Sequence, residues 1–364
     1  MRLRERITGW LARVLPAPRA SRPAFARGQV THVIILDGTM SSLKPGCETH
    51  AGMAYKLLCE APGRARLSIY YEEGIQWVDW RHARDVAFGR GLNRQIERAY
   101  GYLASRYRPG DRIILIGYSR GAYAVRSLAG VIDRVGLLTA RHALARNVAL
   151  AYRHYRAGGD SEAARAFRAR YCHEALSIEM IGVWDTVKAL GIRLPLLWML
   201  TESRHSFHSH ELGPIVRHGY HALALDETRE VFAPVLWTCP PGFEGHVEQV
   251  WFRGCHGDIG GHIDGDARAR PLANIPLVWL LDKLERHGVT LPEGWRGRFP
   301  QDESAPSVGT MRGWGKLFLW RRRRVVGRDM SERLHPTAIG SPRRVDLPFC
   351  DLDDVLVREE ASEG

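Results

Sequence analysis

Residues 113–126 read IILIGYSRGAYAVR, and within them Gly117-Tyr118-Ser119-Arg120-Gly121 fits G-x-S-x-G. An apolar run leads straight into the serine. Val125, Leu128, Ala129 and Ile132 then recur at helical spacing behind it. A serine on a sharp strand-to-helix turn is forced into a strained backbone. The flanking positions must be small for the chains to pass, and the hydroxyl is lifted above the sheet. The pattern alone is weak, but its strand–turn–helix context makes Ser119 a candidate nucleophile rather than a plain corner.

A serine hydroxyl needs a base to take its proton and an acid to orient that base. Asp185 follows the apolar run SIEMIGVW at 177–184, which places a carboxylate at the end of a core strand; as Asp-Thr it would also serve as a helix cap. His256 follows HVEQVWF at 246–252 and sits in RGCHGDIGGH, where Gly254, Gly257, Gly260 and Gly261 let the chain turn over a sheet. His262 competes with it as base, and Asp258 competes with Asp185 as orienting acid. For an oxyanion hole, the backbone N–H of Arg120 is one expected donor. Gly38 or Thr39, in the Leu36-Asp37-Gly38-Thr39 loop after an early strand, supplies the other, with Asp37 in support.

Other chemistries fit less well. The DGT string lacks the aspartate two residues upstream that a phosphohydrolase of the haloacid dehalogenase type requires, because Ile35 stands there. No G-x-x-x-x-G-K-[ST] loop is present. The six cysteines form no C-x-x-C pair. The histidines at 205, 208 and 210 have no carboxylate or cysteine at ligand spacing, so neither a metal nor a cofactor is expected.

These residues need a scaffold. Strands are expected within 31–39, where THVIILDGT ends in a glycine turn, and at 67–71, 112–116, 177–184 and 246–252, alternating with helices at 91–107, after Ser119, within 138–172 and at 275–287. HALALDETREVF at 221–232 also reads as helical. The alternation predicts an α/β fold with a mostly parallel central sheet, helices on both faces, and helical or irregular cap insertions. The stretch 290–345 has weak periodicity and no assigned role.

Several motifs occur together in one order: ILDGT at 35–39, GYSRGAYAVR at 117–126, GVWDTV at 182–187, HALALDETREVF at 221–232 and VWFRGCHGDIGGH at 250–262. In this the chain resembles the α/β-hydrolase family that contains the catalytic domains of type VI secretion phospholipase effectors. LANIPLVWL at 272–280 and LHPTAI at 334–339 resemble its later motifs, so the likeness runs over about 31–340. It implies Ser119 as nucleophile, Asp185 as acid and His256 as base. It also implies cap segments between the core strands, around 138–172 and 186–240. Arg253, Cys255 and Gly257 stand where the family often has Pro, Val and Ser.

The resulting expectation is a serine esterase or lipase, phospholipase-like, acting on a lipid or small-molecule ester without a cofactor. The alternative is a hydrolase-fold scaffold that binds and does not turn over. A catalytic domain over 31–345 would lie between a basic tail at 1–30 and a C-terminal tail at 346–364. The formal charge is +12, with Lys only at 44, 56, 188, 283 and 316. That arginine bias is scattered and matches no nucleic-acid module, so no specific nucleic acid is expected. LFLWRRRRVV at 317–326 is a candidate for peripheral contact with an anionic lipid surface, against a plain solvated arginine cluster. The N-terminal apolar stretch is broken by Arg13 and Pro16, and LPLLWML at 194–200 and IPLVWLL at 275–281 are too short to span a bilayer. The expected location is cytoplasmic, with membrane-peripheral or signal-peptide-independent export as alternatives.

Overall fold

The computed structural model describes residues 27–74, 90–187, 212–239, 245–311, 320–341, 345 and 347–350. Its centre is a sheet of seven strands: β1 (Thr31–Leu36), β2 (Leu67–Glu72), β3 (Arg112–Tyr118), β4 (Ile178–Trp184), β5 (Val216–Ala224), β6 (His246–Phe252) and β7 (Glu332–Leu334). Their order is β2-β1-β3-β4-β5-β6-β7 and every neighbouring pair is parallel. Parallel strands are covered on both faces and therefore read as near-continuous apolar runs. RIILIGY does so, and its six residues from Ile113 to Tyr118 are buried.

Helices α1 (His50–Glu60) and α7 (Arg270–Arg286) cover one face, packing Leu57, Leu58, Leu277, Leu280 and Leu281 against Val33, Ile35, Ile114 and Ile116. Helices α2 (Arg90–Arg106), α3 (Arg120–Val135), α4 (Ala145–Arg156) and α5 (Glu162–Tyr171) build the other side. There Ile96, Leu103, Val125, Leu128 and Ile132 meet Ile34, Leu36, Ile113 and Leu115. A short helix, α6 (His256–Gly260), follows β6. This is an α/β-hydrolase-like fold.

The strand order reverses at β1 and β3. The chain goes from β1 outward to β2 on one side, then crosses to β3 and continues to β7 on the other. In open parallel sheets, such a switch point opens a crevice at the carboxyl ends of the two strands, because their connections depart in opposite directions. The Asp37–Thr39 loop leaves β1 there, and Ser119 leaves β3 beside it.

Two expectations are corrected. HALALDETREVF is not a helix: its first four residues complete β5, and a 3₁₀ turn (Glu230–Phe232) closes it. The small apolar residues of a strand buried on both sides satisfy helical spacing by coincidence. β5 also lies inside the stretch read as cap, so that stretch contributes to the sheet. The unassigned region after 290 supplies β7 and an arm at 320–327 that enters the site. Among the described residues no helix is long and apolar enough to cross a membrane.

Candidate active site

The serine sits where the sheet ends. Ser119 has φ 57° and ψ −118°, a region L-residues avoid, at a cost of about 1–3 kcal/mol. The turn survives because its neighbours leave no alternative. A Cβ on Gly121 would stand 2.1 Å from the Leu36 carbonyl oxygen, and one on Gly117 would stand 2.6 Å from Ala122 Cα. Both glycines of the motif are thus required by contact between the start of α3 and the strands β1 and β3. The Ser119 N–H donates to the Trp184 carbonyl at 3.0 Å, tying the turn to the end of β4.

Asp185 begins the turn after β4, also at positive φ (41°), and is fully buried. His256 opens α6. These distant residues form one hydrogen-bonded chain: His256 Nδ1 lies 2.6 Å from Asp185 Oδ2, and His256 Nε2 lies 2.9 Å from Ser119 Oγ. An ionised carboxylate can only accept, so Nδ1 carries the proton and Nε2 presents its lone pair to the serine O–H. Burial lowers the pKa of His256, outweighing the opposing pull of Asp185, and the ring is neutral at pH 7.

The carboxylate end is braced by a residue that sequence reasoning placed elsewhere. Arg324 forks onto Asp185, with Nη1 2.5 Å from Oδ1 and Nη2 2.8 Å from Oδ2. It also donates to the carbonyls of Ala224 (2.8 Å) and Phe232 (2.6 Å). The Ala224 N–H donates to Asp185 Oδ1 at 3.0 Å. Burial alone would raise this carboxyl, but Arg324, with His256, overrides it and holds Asp185 well below the usual carboxylate range. The membrane-facing reading of 317–326 is therefore corrected at Arg324, which is 5% exposed. Trp320 is 55% exposed, Arg322 and Arg323 are also exposed, and 312–319 lie outside the described residues.

The imidazole is held by three further groups. Phe232 stacks on it with centroids 4.6 Å apart and planes 18° apart, and the Tyr118 ring lies 5.0 Å away. Tyr118 Oη donates to the His256 carbonyl at 3.2 Å. Glu227, buried and paired with Arg229, accepts the His256 N–H at 3.1 Å. The signal for Glu227 and Phe232 lies in DETREVF at 226–232, which reads as part of a helix in the sequence.

The expected oxyanion donors divide. Arg120 is the first residue of α3, so its N–H has no intrahelical acceptor. The Thr39 N–H makes no backbone bond among the described residues. The Gly38 N–H is already given to Asp37 Oδ1 at 2.6 Å, which removes Gly38 as a donor. Asp37 shapes this loop and accepts from Thr49 Oγ1 (2.6 Å) and Tyr71 Oη (2.8 Å), while burial pushes its carboxyl up to about 6. Asp258 does not reach His256. It accepts from the Cys255 N–H (2.8 Å) and the Val308 N–H (2.9 Å), so it caps α6 and pins a loop. His262 pairs with Asp264 at 3.3 Å rather than with Ser119. The histidines at 205–210 lie outside the described residues.

The chain is similar to several known proteins. Residues 31–283 match the model of the type VI secretion phospholipase effector Tle1-like catalytic domain. An uncharacterized protein of Saccharomyces cerevisiae is 28% identical over 235 residues, covering 57% of this chain and 33% of its own length. A solved structure of an uncharacterized Pseudomonas aeruginosa protein aligns at TM-score 0.41 and 15% identity, over 76% of this chain and 49% of that one. The Tle1 effector, solved bound to the VgrG spike of the type VI secretion system, aligns at TM-score 0.38 and 19% identity, over 65% of this chain and 52% of that one. The chain thus spans about half or less of the length of these relatives. The extent of the family match establishes that the chain belongs to the Tle1-like phospholipase effector catalytic-domain family.

Proposed function

We propose that the protein is a serine hydrolase that cleaves carboxylic esters of lipids, phospholipids among them, through an acyl-enzyme on Ser119. The observation that carries this reading is the chain Asp185–His256–Ser119, with contacts of 2.6 and 2.9 Å, ending on a strained elbow. In the proposed reaction Ser119 Oγ attacks the acyl carbonyl as its proton passes to His256 Nε2. The imidazolium is steadied by Asp185. Negative charge develops on the carbonyl oxygen, and in this reading the N–H groups of Arg120 and Thr39 receive it; one such donor is worth about 3–4 kcal/mol. His256 then protonates the departing alkoxide. Water, deprotonated by the same nitrogen, attacks the acyl-enzyme, releases the fatty acid and restores Ser119.

Membership of a phospholipase effector family supports the lipid part of the reading. The test is fatty-acid release from phosphatidylcholine and phosphatidylglycerol vesicles, beside soluble p-nitrophenyl esters of increasing chain length. Turnover that disappears in Ser119→Ala is expected. Turnover of the wild type that survives in Ser119→Ala, or none on any ester with a folded wild type, would overturn the assignment.

A further inference from the structure

The proposed chemistry occupies the carboxyl ends of the strands, and a second group of ligating side chains lies at their amino ends. Glu179 is the second residue of β4, His218 the third of β5, and His287 directly follows the last turn of α7. Six residue steps along extended chain separate Glu179 from Asp185, which is about 20 Å. Nothing in the ester chemistry uses this cluster.

Its geometry is unusual for a hydrogen-bonded group. Glu179 Oε1 lies 3.4 Å from His287 Nδ1 and 4.0 Å from His218 Nε2, and the three ligand atoms all fall within 4.8 Å of one another. Those separations exceed ordinary N–H···O bonds. They approach the spacing of about 3.4 Å that a tetrahedral ion with bonds near 2.0–2.1 Å sets between its ligands. His218 is the least satisfied member. Among the described residues its Nδ1 is buried with no hydrogen-bond partner, and its Nε2 faces the carboxylate at 4.0 Å. An imidazole with neither nitrogen in a hydrogen bond is costly, unless a ligand takes the lone pair aimed at the carboxylate.

The surroundings suit a cation. His287 Nε2 lies 3.0 Å from Tyr220 Oη, so with Nδ1 on a metal its Nε2–H has an acceptor, which fixes tautomer and ring orientation. The His218 and His287 rings are 4.2 Å apart, and His218 lies parallel to Tyr220 (interplanar angle 5°). Of the nearby cations, Arg217 Nη1 sits 3.3 Å from Oε2 of Glu179, which leaves Oε1 to face the two imidazoles, and Lys283 pairs with Glu248 at 2.8 Å. Side chains 11–31% exposed leave the cluster within reach of an ion from solvent.

We infer that Glu179, His218 and His287 form a binding site for a zinc-type divalent transition ion that ties β4, β5 and the end of α7 together. Two imidazoles and one carboxylate favour zinc or its late first-row neighbours over magnesium or calcium, which take oxygen ligands. The sequence contains no spacing that announces it, because the three residues are separated by 39 and 69 positions and meet only through the sheet.

The test uses the full-length, untagged protein, stripped with chelator and titrated with Zn²⁺ by calorimetry, with Co²⁺ as a spectroscopic probe. One equivalent should bind, with visible Co²⁺ bands of a four- or five-coordinate site. The unfolding temperature should rise by on the order of 5 °C at a hundredfold excess over Kd. His218→Ala and the near-isosteric Glu179→Gln should each lose that equivalent while keeping the wild-type circular dichroism spectrum. His246→Ala, at the neighbouring strand position, should retain it. Absence of saturable binding would overturn the inference. So would an equivalent that survives both ligand variants, which would place the metal on other histidines or on the free cysteines.

Discussion

At the scale of single residues, the balance between Arg324 and His256 decides how the site titrates. On the proposed mechanism activity requires neutral His256, whose pKa burial holds below its ordinary value of 6.5. Protonation on the acid side removes the base, so kcat/KM should fall as pH drops through a limb below 6.5 and stay level through neutrality. A limb above 7 would contradict the geometry. Arg324→Met leaves the Asp185 charge uncompensated beside the ring. That favours the imidazolium, so the limb should move to higher pH, with a stability loss of about 3–5 kcal/mol from the broken buried pair. Arg324→Lys should keep the limb near its wild-type position while lowering kcat, because a lysine cannot fork onto both oxygens. Were Arg324 only a structural brace, the melting temperature would drop in Arg324→Met without any shift of the limb. Asp185→Asn should cost about 10⁴ in kcat by reversing the preferred tautomer. Ser119, Asp185 and His256 are legible in the sequence as candidates because each follows an apolar strand at a glycine-rich or capped turn, and the structure brings the three side chains into hydrogen-bond contact. Arg324 was not, since it meets Asp185 across 139 residues and stood in a run of four arginines that resembles a solvated patch.

Among the secondary-structure elements, the elbow is the tightest joint. Its two glycines carry no chemistry, yet the start of α3 rests on the backbone of β1 and β3 through them. Gly121→Ala should therefore lower stability by about 3 kcal/mol or more and reduce ester turnover while leaving Ser119 and His256 in place chemically. Chemical denaturation together with turnover checks this, and a variant as stable and active as wild type would show that α3 can move away from β1. The strands β1, β3, β4 and β6 were readable as apolar runs bounded by turns. β5 reads as helix because HALAL at 221–225, buried throughout, has no polar alternation to reveal a period of two. β7 is three residues long, too short to leave any periodic signal.

Taken whole, the molecule completes its site with a segment outside the family-matched region. That region ends at residue 283, yet the arm that delivers Arg324 begins beyond 311. The arm is held by the Arg322 N–H donating to the Thr228 carbonyl (2.7 Å) and the Glu230 N–H donating to the Trp320 carbonyl (3.1 Å). Glu332 of β7 is buried and accepts from Trp251 Nε1 at 2.8 Å, anchoring the arm's far end on β6. A chain ending at residue 311 should consequently lose ester turnover even if it remains soluble. Full activity in that truncation would mean that Asp185 is positioned without the arm.

The central claim, that Ser119 is an activated nucleophile, is tested most directly by intact mass spectrometry after exposure to a fluorophosphonate, beside Ser119→Ala. A single adduct on the wild type, absent from the variant and slowed in His256→Ala, is the predicted result. A folded wild type that takes up no adduct, or an adduct that persists in Ser119→Ala, would contradict it.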